Sequence, residues 1–378
     1  MDHREVGRYW VNEPYVSDEA IRARPRLERA RVVADFFHLR ARNRVVFRSA
    51  FAVLSLAVAV AHGQTASLRV EQTSNSVTLV LGPIALPAHA GHDGVDQPPP
   101  LTVALPVDGW LSGYDVELVD TSGTAIPRVV LHHVNVIEPT KRELFSGIML
   151  RVAAASAETS PVTMPAIVGY RVHPGDSLLV SAMFHNPTAK PYVATLRIHF
   201  PFKGSNSFVK AIGIYPFYLD VMPPAGSHSF DVPPGHSEHS WEGRPAIGGR
   251  ILGVSGHLHK YGSLLKLEDR TTNDVLWQVR PDTDANGDIS AIPIARFVTH
   301  FGLKIYPDHV YRLTAVYDNP TGATIVDDGM GALGGVFLPG RGTAWPAIDR
   351  ASDDYKLDYR LTYRLDGMQM SGMSHVHP

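Results

Sequence analysis

Two histidines separated by a single residue are the part of this sequence best suited to bind a metal ion. They are His257 and His259, within residues 251–262, which read ILGVSGHLHKYG. Apolar residues lead into this stretch and Tyr-Gly ends it, which predicts a β-strand followed by a turn. Because successive side chains on a strand point to opposite faces, both imidazoles are expected on one face. The alternative is a pair of surface histidines on a β-hairpin.

A second group of histidines lies in the first half of the chain. His132 and His133 are adjacent in an apolar segment that predicts a strand, and His185 ends a later predicted strand. Neighbours on a regular strand face opposite ways, so both reach one metal only at a strand end, at a β-bulge or through different ring nitrogens. The histidines in segments rich in Pro, Gly and Ser are expected to be loop residues rather than ligands: His89, His92, His228, His236 and His239.

Met330 adds a sulfur atom to the candidate ligands of the second half. It lies in a glycine-rich segment, residues 327–335, well after the His-x-His pair. Each half thus offers a histidine pair followed by a single ligand, which is His185 in the first half and Met330 in the second. Three imidazoles suit several metals, whereas two imidazoles and a thioether favour copper, because sulfur stabilises Cu(I).

The composition excludes several other kinds of site and partner. The 378 residues include no cysteine, which excludes disulfides, thiolate nucleophiles, iron–sulfur clusters and cysteine-based zinc sites, whereas histidine is abundant at 19. The formal net charge of −2 gives no indication of a nucleic-acid partner. The hydrophobic fraction of 44% and charged fraction of 19% are those of a soluble globular protein.

The segment before residue 64 has the features of a secretory signal. Residues 44–48 are basic at both ends, and Ala59-Val60-Ala61 has the pattern of a cleavage site. The apolar run between them is shorter than the roughly 20 residues that cross a bilayer, so no stable membrane span is expected after cleavage. A buried helix is the alternative. We therefore expect an exported protein, either periplasmic or extracellular.

From residue 101 onward, short apolar runs separated by turn signals predict an all-β protein. Residues 173–188 align without gaps on residues 306–321, and each copy is a Pro-led turn, a strand and an Asn-Pro-Thr turn. A repeat separated by about one domain length suggests two β domains of similar plan. The predicted segments are an N-terminal extension and signal peptide (1–63), a strand and His/Pro-rich linker (64–100), two β domains (101–203 and 204–345), and a C-terminal strand with a Met/His-rich tail (346–378).

This ligand pattern resembles that of the copper type II, ascorbate-dependent monooxygenases, which include peptidylglycine α-hydroxylating and dopamine β-hydroxylating enzymes. The resemblance covers residues 101–338 and consists of an adjacent His-His, a later His, a His-x-His and a Met in that order. It implies two tandem jelly-roll-like β-sandwich domains, each binding one copper ion. The implied ligands are His132, His133 and His185 for the first copper and His257, His259 and Met330 for the second.

The resemblance also implies an activity. The first copper would receive electrons from ascorbate or another one-electron reductant. The second copper would be catalytic, binding O2 and hydroxylating a C–H bond of a small organic or peptide-like substrate. The peptide-hydroxylating members carry an Arg two residues before the His-x-His and a Tyr four residues after the Met, where this sequence has Ser255 and Gly334. The anchor for a carboxylate-ended peptide is therefore missing.

Two other interpretations remain open. The chain would be a non-catalytic periplasmic copper-binding or copper-handling protein if both sites bind metal without hydroxylating a substrate. It would be a structural pair of β-sandwiches if the histidines are incidental. The C-terminal tail either captures copper or is disordered, and its candidate ligands are Met368, Met370, Met373, His375 and His377.

Overall fold

The computed structural model describes residues 65–363, apart from 209, 227, 285 and 298–300. The predicted signal segment and the Met/His-rich tail lie outside the described residues. Within them, 25 strands and one α-helix form, which confirms the all-β prediction. In this part of the chain, no helix combines the length and apolar character needed to cross a membrane.

The first half folds into two facing sheets. The larger has the strand order β1-β2-β11-β4-β9-β12, with β5 paired to β11 and β8. Its strands are β1 (Ser67–Gln72), β2 (Ser76–Leu86), β4 (Gly109–Leu111), β5 (Gly113–Val119), β8 (Val162–Thr163), β9 (Val168–Val172), β11 (Tyr192–Gly204) and β12 (Ile212–Gly213). The smaller, antiparallel sheet has the order β3-β10-β6-β7, with β3 (Leu101–Ala104), β6 (Leu131–Arg142), β7 (Met149–Ala155) and β10 (Ser177–Phe184).

The second half repeats this plan with its own sheets. One sheet has the order β13-β25-β16-β21, with β22 also on β16, and contains β13 (Tyr215–Asp220), β16 (Gly249–Leu258), β21 (Ala295–Arg296), β22 (Leu303–Ile305) and β25 (Gly331–Pro339). The other has the order β15-β23-β17-β18, with β15 (Gly235–Gly243), β17 (Gly262–Asp269), β18 (Asp274–Val279) and β23 (Tyr311–Asn319). Two short pairs complete it, formed by β14 (Phe230–Val232) with β24 (Ile325–Gly329) and β19 (Asp282–Thr283) with β20 (Ile289–Ala291).

Each half encloses its own apolar core between its two sheets. In the first half, Leu79 and Ile198 of one sheet and Val134 of the other are almost fully buried in one cluster. In the second half, Phe337 and Leu313 are buried in another. The fold is therefore two tandem β-sandwiches, as the resemblance implies. Both belong to one compact unit.

The sequence repeat corresponds to equivalent strands in the two halves. Its copies form β10 and β23, and each is the second strand of a four-stranded sheet. The turn that follows is also the same, because Asn186 and Asn319 each donate through Nδ2 to a carbonyl four residues later, at 2.9 and 2.8 Å. The repeated Asn-Pro-Thr sequence thus stabilises one turn geometry twice.

The prediction of a C-terminal strand after residue 346 was wrong for the described residues, which extend to residue 363. Asp353–Tyr363 forms the α-helix, α1. Ser352 caps it by accepting a hydrogen bond at Oγ from the Tyr355 amide at 3.2 Å, and two aspartates occupy the first turn, where the helix dipole favours negative charge. Asp358 on this helix is buried and pairs with Arg151 of β7 at 2.6 Å, so the helix is fixed to the first half.

A buried carboxylate and a tryptophan join the two halves. Glu143, between β6 and β7, accepts hydrogen bonds from the backbone amides of Arg151 at 2.6 Å and of Tyr218 in β13 at 2.9 Å. Burial raises the pKa of Glu143 to about 7. Trp345 packs against both cores and stacks on Tyr215 with ring centroids 4.3 Å apart. Strand β7 of the first half thus contacts strand β13 of the second half.

Candidate metal centre

Three histidines of the first half converge on one point and form what we call the first triad: His92, His132 and His185. Their ring centroids lie 4.2 Å apart for His92 and His132, 5.2 Å for His92 and His185, and 5.6 Å for His132 and His185. One ring nitrogen from each lies within 4.8 Å of the others. Neutral imidazoles at such spacing are the ligands that zinc, copper, iron and nickel accept.

His92 is a member that the sequence analysis did not expect, because it placed this residue in a loop. It does lie in a short 3-10 turn, His92–Gly94, but that turn is fastened to the end of β10. The Gln97 side chain donates to the His92 carbonyl at 3.0 Å and exchanges two hydrogen bonds with the Phe184 backbone, at 2.7 and 2.9 Å. The prediction that His92 is not a candidate ligand is therefore corrected. The residue that could have indicated this is Gln97. Its side-chain amide both donates to and accepts from the backbone of Phe184, as a residue of a neighbouring strand would.

His185 is held in place from the β6 side. Its backbone amide donates to the Val130 carbonyl at 3.1 Å, and its Nε2 donates to the Val129 carbonyl at 2.6 Å. In a neutral imidazole, donation from one nitrogen leaves the lone pair on the other, so Nδ1 is the atom of His185 that is available to a metal ion.

A β-bulge explains how the adjacent histidines of β6 are oriented. Met183 of β10 pairs with His133 and Phe184 pairs with Leu131, so His132 is an extra residue in the strand. The flanking Leu131 and Val134 are buried in the first core, and both histidines leave the core side together. The bulge was one of the three geometries that the sequence allowed. It does not join both rings to one site, because His132 and His133 belong to different groups.

The second triad consists of His133, His257 and His259. The ring centroids lie 5.4 Å apart for His133 and His257, 4.9 Å for His257 and His259, and 6.2 Å for His133 and His259. His257 lies near the end of β16 and His259 just after it, while Leu258 between them is buried in the second core. The strand alternation read from the sequence thus describes how these two imidazoles come together.

Hydrogen bonds to the second triad fix which nitrogens face its centre. His257 Nδ1 donates to Glu158 Oε1 at 2.6 Å, and His259 Nδ1 donates to the Asp328 carbonyl at 2.8 Å. In the neutral form of each ring, the lone pair is therefore on Nε2. His257 Nε2 is buried and has no hydrogen-bond partner within the described residues, which marks an acceptor that a bound cation would satisfy.

Glu158 reaches the second triad from the first half. It lies between β7 and β8, and the Ser156 hydroxyl donates to the same carboxylate oxygen at 2.6 Å. Burial alone would raise the pKa of Glu158, but the hydrogen bonds from His257 and Ser156 hold the pKa well below its usual range. An ionised carboxylate on Nδ1 increases the basicity of a ligating imidazole. No feature of the sequence identified Glu158.

The backbone of Met330 lies beside that of His259. Leu258 of β16 pairs with Gly331 of β25, and the same register continued by one residue places Met330 opposite His259. The Tyr317 hydroxyl joins the two residues: it accepts from the His259 amide at 3.0 Å and the Met330 amide at 2.9 Å, and it donates to the Met330 carbonyl. A second thioether residue, Met183, pairs directly with His133. Directly opposed residues have Cβ atoms about 5 Å apart.

The two triads adjoin. The ring centroids of His132 and His133 are 4.0 Å apart, and His132 and His259 are 6.4 Å apart. Burial lowers the pKa of His132 and of His133 far below the usual range, and repulsion from the neighbouring imidazoles lowers it further. Both rings are therefore neutral at neutral pH, the form that binds a metal ion.

The structure thus groups the predicted ligands differently from the resemblance. His132 and His185 meet, but their third partner is His92 and not His133. His257 and His259 meet, and His133 joins them. The positions where the peptide-hydroxylating enzymes carry Arg and Tyr, Ser255 and Gly334, pair directly across β16 and β25. Gly334 is exposed, and a side chain built on it would extend into open space.

Three other histidines have separate structural contacts. His228 Nδ1 is 3.0 Å from Asp220 Oδ2, and His236 Nδ1 is 2.9 Å from Asp318 Oδ1. His239 stacks on a phenylalanine with ring centroids 3.7 Å apart. None of these three belongs to either triad, as the sequence analysis expected.

No protein-family model and no curated protein matches this chain. Among solved structures, the VP2 subviral particle of infectious bursal disease virus is 12% identical, with a TM-score of 0.24 over 75% of this chain and 74% of that chain. The N-terminal CBM22-1–CBM22-2 tandem domain of Paenibacillus barcinonensis Xyn10C is 12% identical, with a TM-score of 0.14 over 76% of this chain and 87% of that chain. Similarities this low carry no argument about this chain.

Proposed function

We propose that this protein is a copper-dependent monooxygenase that hydroxylates a C–H bond of an organic substrate with O2 and a reductant such as ascorbate. The observation that carries the proposal is the pair of adjoining three-histidine groups, to which both halves contribute. The ordered ligand pattern of the sequence and the tandem β-sandwich fold support it. We also propose that the protein is exported and works in the periplasm or outside the cell.

The donor set fits copper. Each triad supplies three imidazoles, and the buried Nε2 of His257 has no hydrogen-bond partner in the described structure. Thioether residues lie next to the second triad at Met330 and Met183, and soft sulfur donors favour Cu(I). Copper, when bound, would supply the one-electron chemistry that O2 activation requires.

The chain itself would position the reactants. In the second triad, Glu158 and the Asp328 carbonyl orient His257 and His259, and Tyr317 fixes the backbone of Met330 beside them. We assign the catalytic role to this triad, because Gly334 leaves open space on β25 directly opposite Ser255, two residues before His257. The first triad would take part in electron supply. Its member His132 is next to His133 of the second triad in β6.

A second candidate function is copper binding without hydroxylation. Copper binding alone is favoured by the pair Ser255 and Gly334. A serine and a glycine at these positions offer no charged or aromatic side chain to anchor a substrate. A copper-handling protein needs the triads but no substrate site, so the two functions predict the same metal content and different O2 chemistry.

Metal content and O2 uptake together test the proposal. The purified chain is expected to bind two copper ions, and His257→Ala is expected to bind one and to lose turnover entirely. The matched control is His236→Ala, which removes an exposed imidazole paired with Asp318 outside both triads. Reductant-dependent O2 consumption that rises with an added organic substrate supports the monooxygenase. O2 consumption that no substrate changes supports the copper-handling protein, and absence of bound copper contradicts both.

A further inference from the structure

The ligands of the two triads are linked by a single peptide bond. His132 faces His92 and His185, while His133, the next residue, faces His257 and His259. The bulge in β6 sends both side chains away from the first core, and their ring centroids are 4.0 Å apart. The two groups therefore meet on one strand of one half.

This link limits how far apart two bound ions can be. A metal–nitrogen bond is about 2 Å and a ring nitrogen lies about 1 Å from its centroid, so ions on these two rings are at most about 10 Å apart. Because both rings belong to β6, the limit holds however the second half is placed. Movement of the second half changes the position of His257 and His259 but leaves His132 and His133 together.

Further contacts bring the triads together from the second half. The ring centroid of His259 lies 6.4 Å from that of His132 in the first triad. It lies 6.2 Å from the ring centroid of His133 in its own triad, so the two distances are nearly equal. The rings of His133 and His259 are nearly parallel, with an interplanar angle of 9°. Three of the six imidazoles, His132, His133 and His259, are thus in ring contact with a member of the other triad.

We infer that the two triads form one dinuclear copper centre, in which two ions lie within about 10 Å and interact magnetically, instead of two isolated mononuclear sites. The inference depends on the proposed function only in taking copper as the bound ion. It differs from the grouping that the resemblance implies, because that grouping assigns both adjacent histidines to one ion.

Electron paramagnetic resonance of the full chain loaded with one and then two equivalents of Cu(II) tests this inference. The two-ion form is expected to show a broadened spectrum with a half-field line, or an integrated intensity well below two spins per chain. His92→Ala and His185→Ala each remove a different first-triad ligand, and both are expected to give one ion per chain with a full, unbroadened single-ion spectrum. His236→Ala, whose imidazole lies outside both triads, is expected to keep the coupled spectrum of the parent chain.

The outcomes separate the two proposals. A two-ion spectrum equal to the sum of two isolated Cu(II) spectra overturns the dinuclear centre and leaves the proposed function standing. A parent chain that binds no copper overturns both. Retention of the coupled signal in both His92→Ala and His185→Ala also overturns the inference, because the first triad is then not one of the two sites.

Discussion

The two triads are assembled in different ways, although the two sandwiches share one plan. The first triad takes all three histidines from the first half, from a loop turn, a strand bulge and a strand end. The second triad takes His257 and His259 from the second half but borrows His133 from the first, and Glu158 of the first half orients His257. The first site therefore needs only one folded sandwich, whereas the second needs both sandwiches in contact.

The largest effect that sharpens this comparison is expected from His92→Ala. Loss of this ring leaves two imidazoles at the first site, so we expect copper content to fall from two ions per chain to one, with the second site intact. Metal analysis after dialysis measures this. The matched control is His89→Asn in the same exposed loop, where asparagine tolerates the positive φ of 52° and no triad member is lost. Two ions in His92→Ala would show that His92 is not a ligand.

The contact between the halves is expected to weaken as pH rises. The pKa of Glu143 is raised by burial to about 7, so the folded protein binds this proton more tightly than the unfolded chain does. The stability contributed by neutral Glu143 is complete below about pH 4.5 and is lost as pH rises through about 7, amounting to at most about 3 kcal/mol. Urea unfolding between pH 4.5 and 8 measures this slope.

Glu143→Gln provides the comparison for that experiment. Glutamine stays uncharged and its carbonyl keeps one of the two backbone hydrogen bonds, to Arg151 or Tyr218. The variant is expected to lose the decline in stability between pH 4.5 and 8 that Glu143 causes. An unchanged pH slope in Glu143→Gln would show that another group is responsible.

A smaller effect, confined to the second site, is expected from Glu158→Ala. Without the carboxylate, His257 is less basic and less well oriented, and losses of an outer hydrogen-bond partner cost about 10-fold to 100-fold in metal affinity. Competitive copper titration measures both sites. Glu158→Gln, which keeps an acceptor oxygen, is expected to restore part of the affinity. Glu117→Ala is the control, since Glu117 pairs with His199 at 3.0 Å outside both triads. Equal weakening of both sites would contradict the assignment of Glu158 to the second triad.

The smallest effect is expected at the C-terminal helix. Ser352→Ala removes the hydroxyl that accepts the Tyr355 amide, and loss of such a cap costs about 1 kcal/mol. Thermal unfolding measures it, and Ser352→Thr, which keeps the hydroxyl, is the control. Copper content is expected to stay at two ions per chain, because α1 packs on β7 through Asp358 and supplies no member of either triad.

Some of this architecture was accessible from sequence because it depends on local periodicity. The alternation of residues 251–259 places His257 and His259 on one face, and the Asn-Pro-Thr repeat identifies equivalent strands in the two halves. Both patterns reflect short-range geometry, since strand side chains repeat every two residues and turn residues bond to their own neighbours.

The rest depended on contacts between distant segments, which periodicity does not encode. His92 joins the first triad because Gln97 fastens the turn of His92 to Phe184. His132 points away from the core because it is the extra residue of a bulge, where two consecutive residues of β10 pair with Leu131 and His133. The C-terminal segment reads as a strand from its tyrosines and leucines, but Ser352 caps it as a helix. In the first two cases, pairing with a distant segment decided the structure, whereas the helix begins at a local cap that the tyrosine and leucine pattern does not show.

The most direct test of the account is the copper content of two double variants, His133→Ala/His257→Ala and His132→Ala/His257→Ala. If the adjacent histidines serve different sites, the first double variant damages only the second triad and still binds one ion, whereas the second damages both triads and binds none. If His132 and His133 serve the same ion, as the resemblance implies, both double variants bind none. One ion in the first and none in the second is the predicted result, and equal copper content in the two would contradict it.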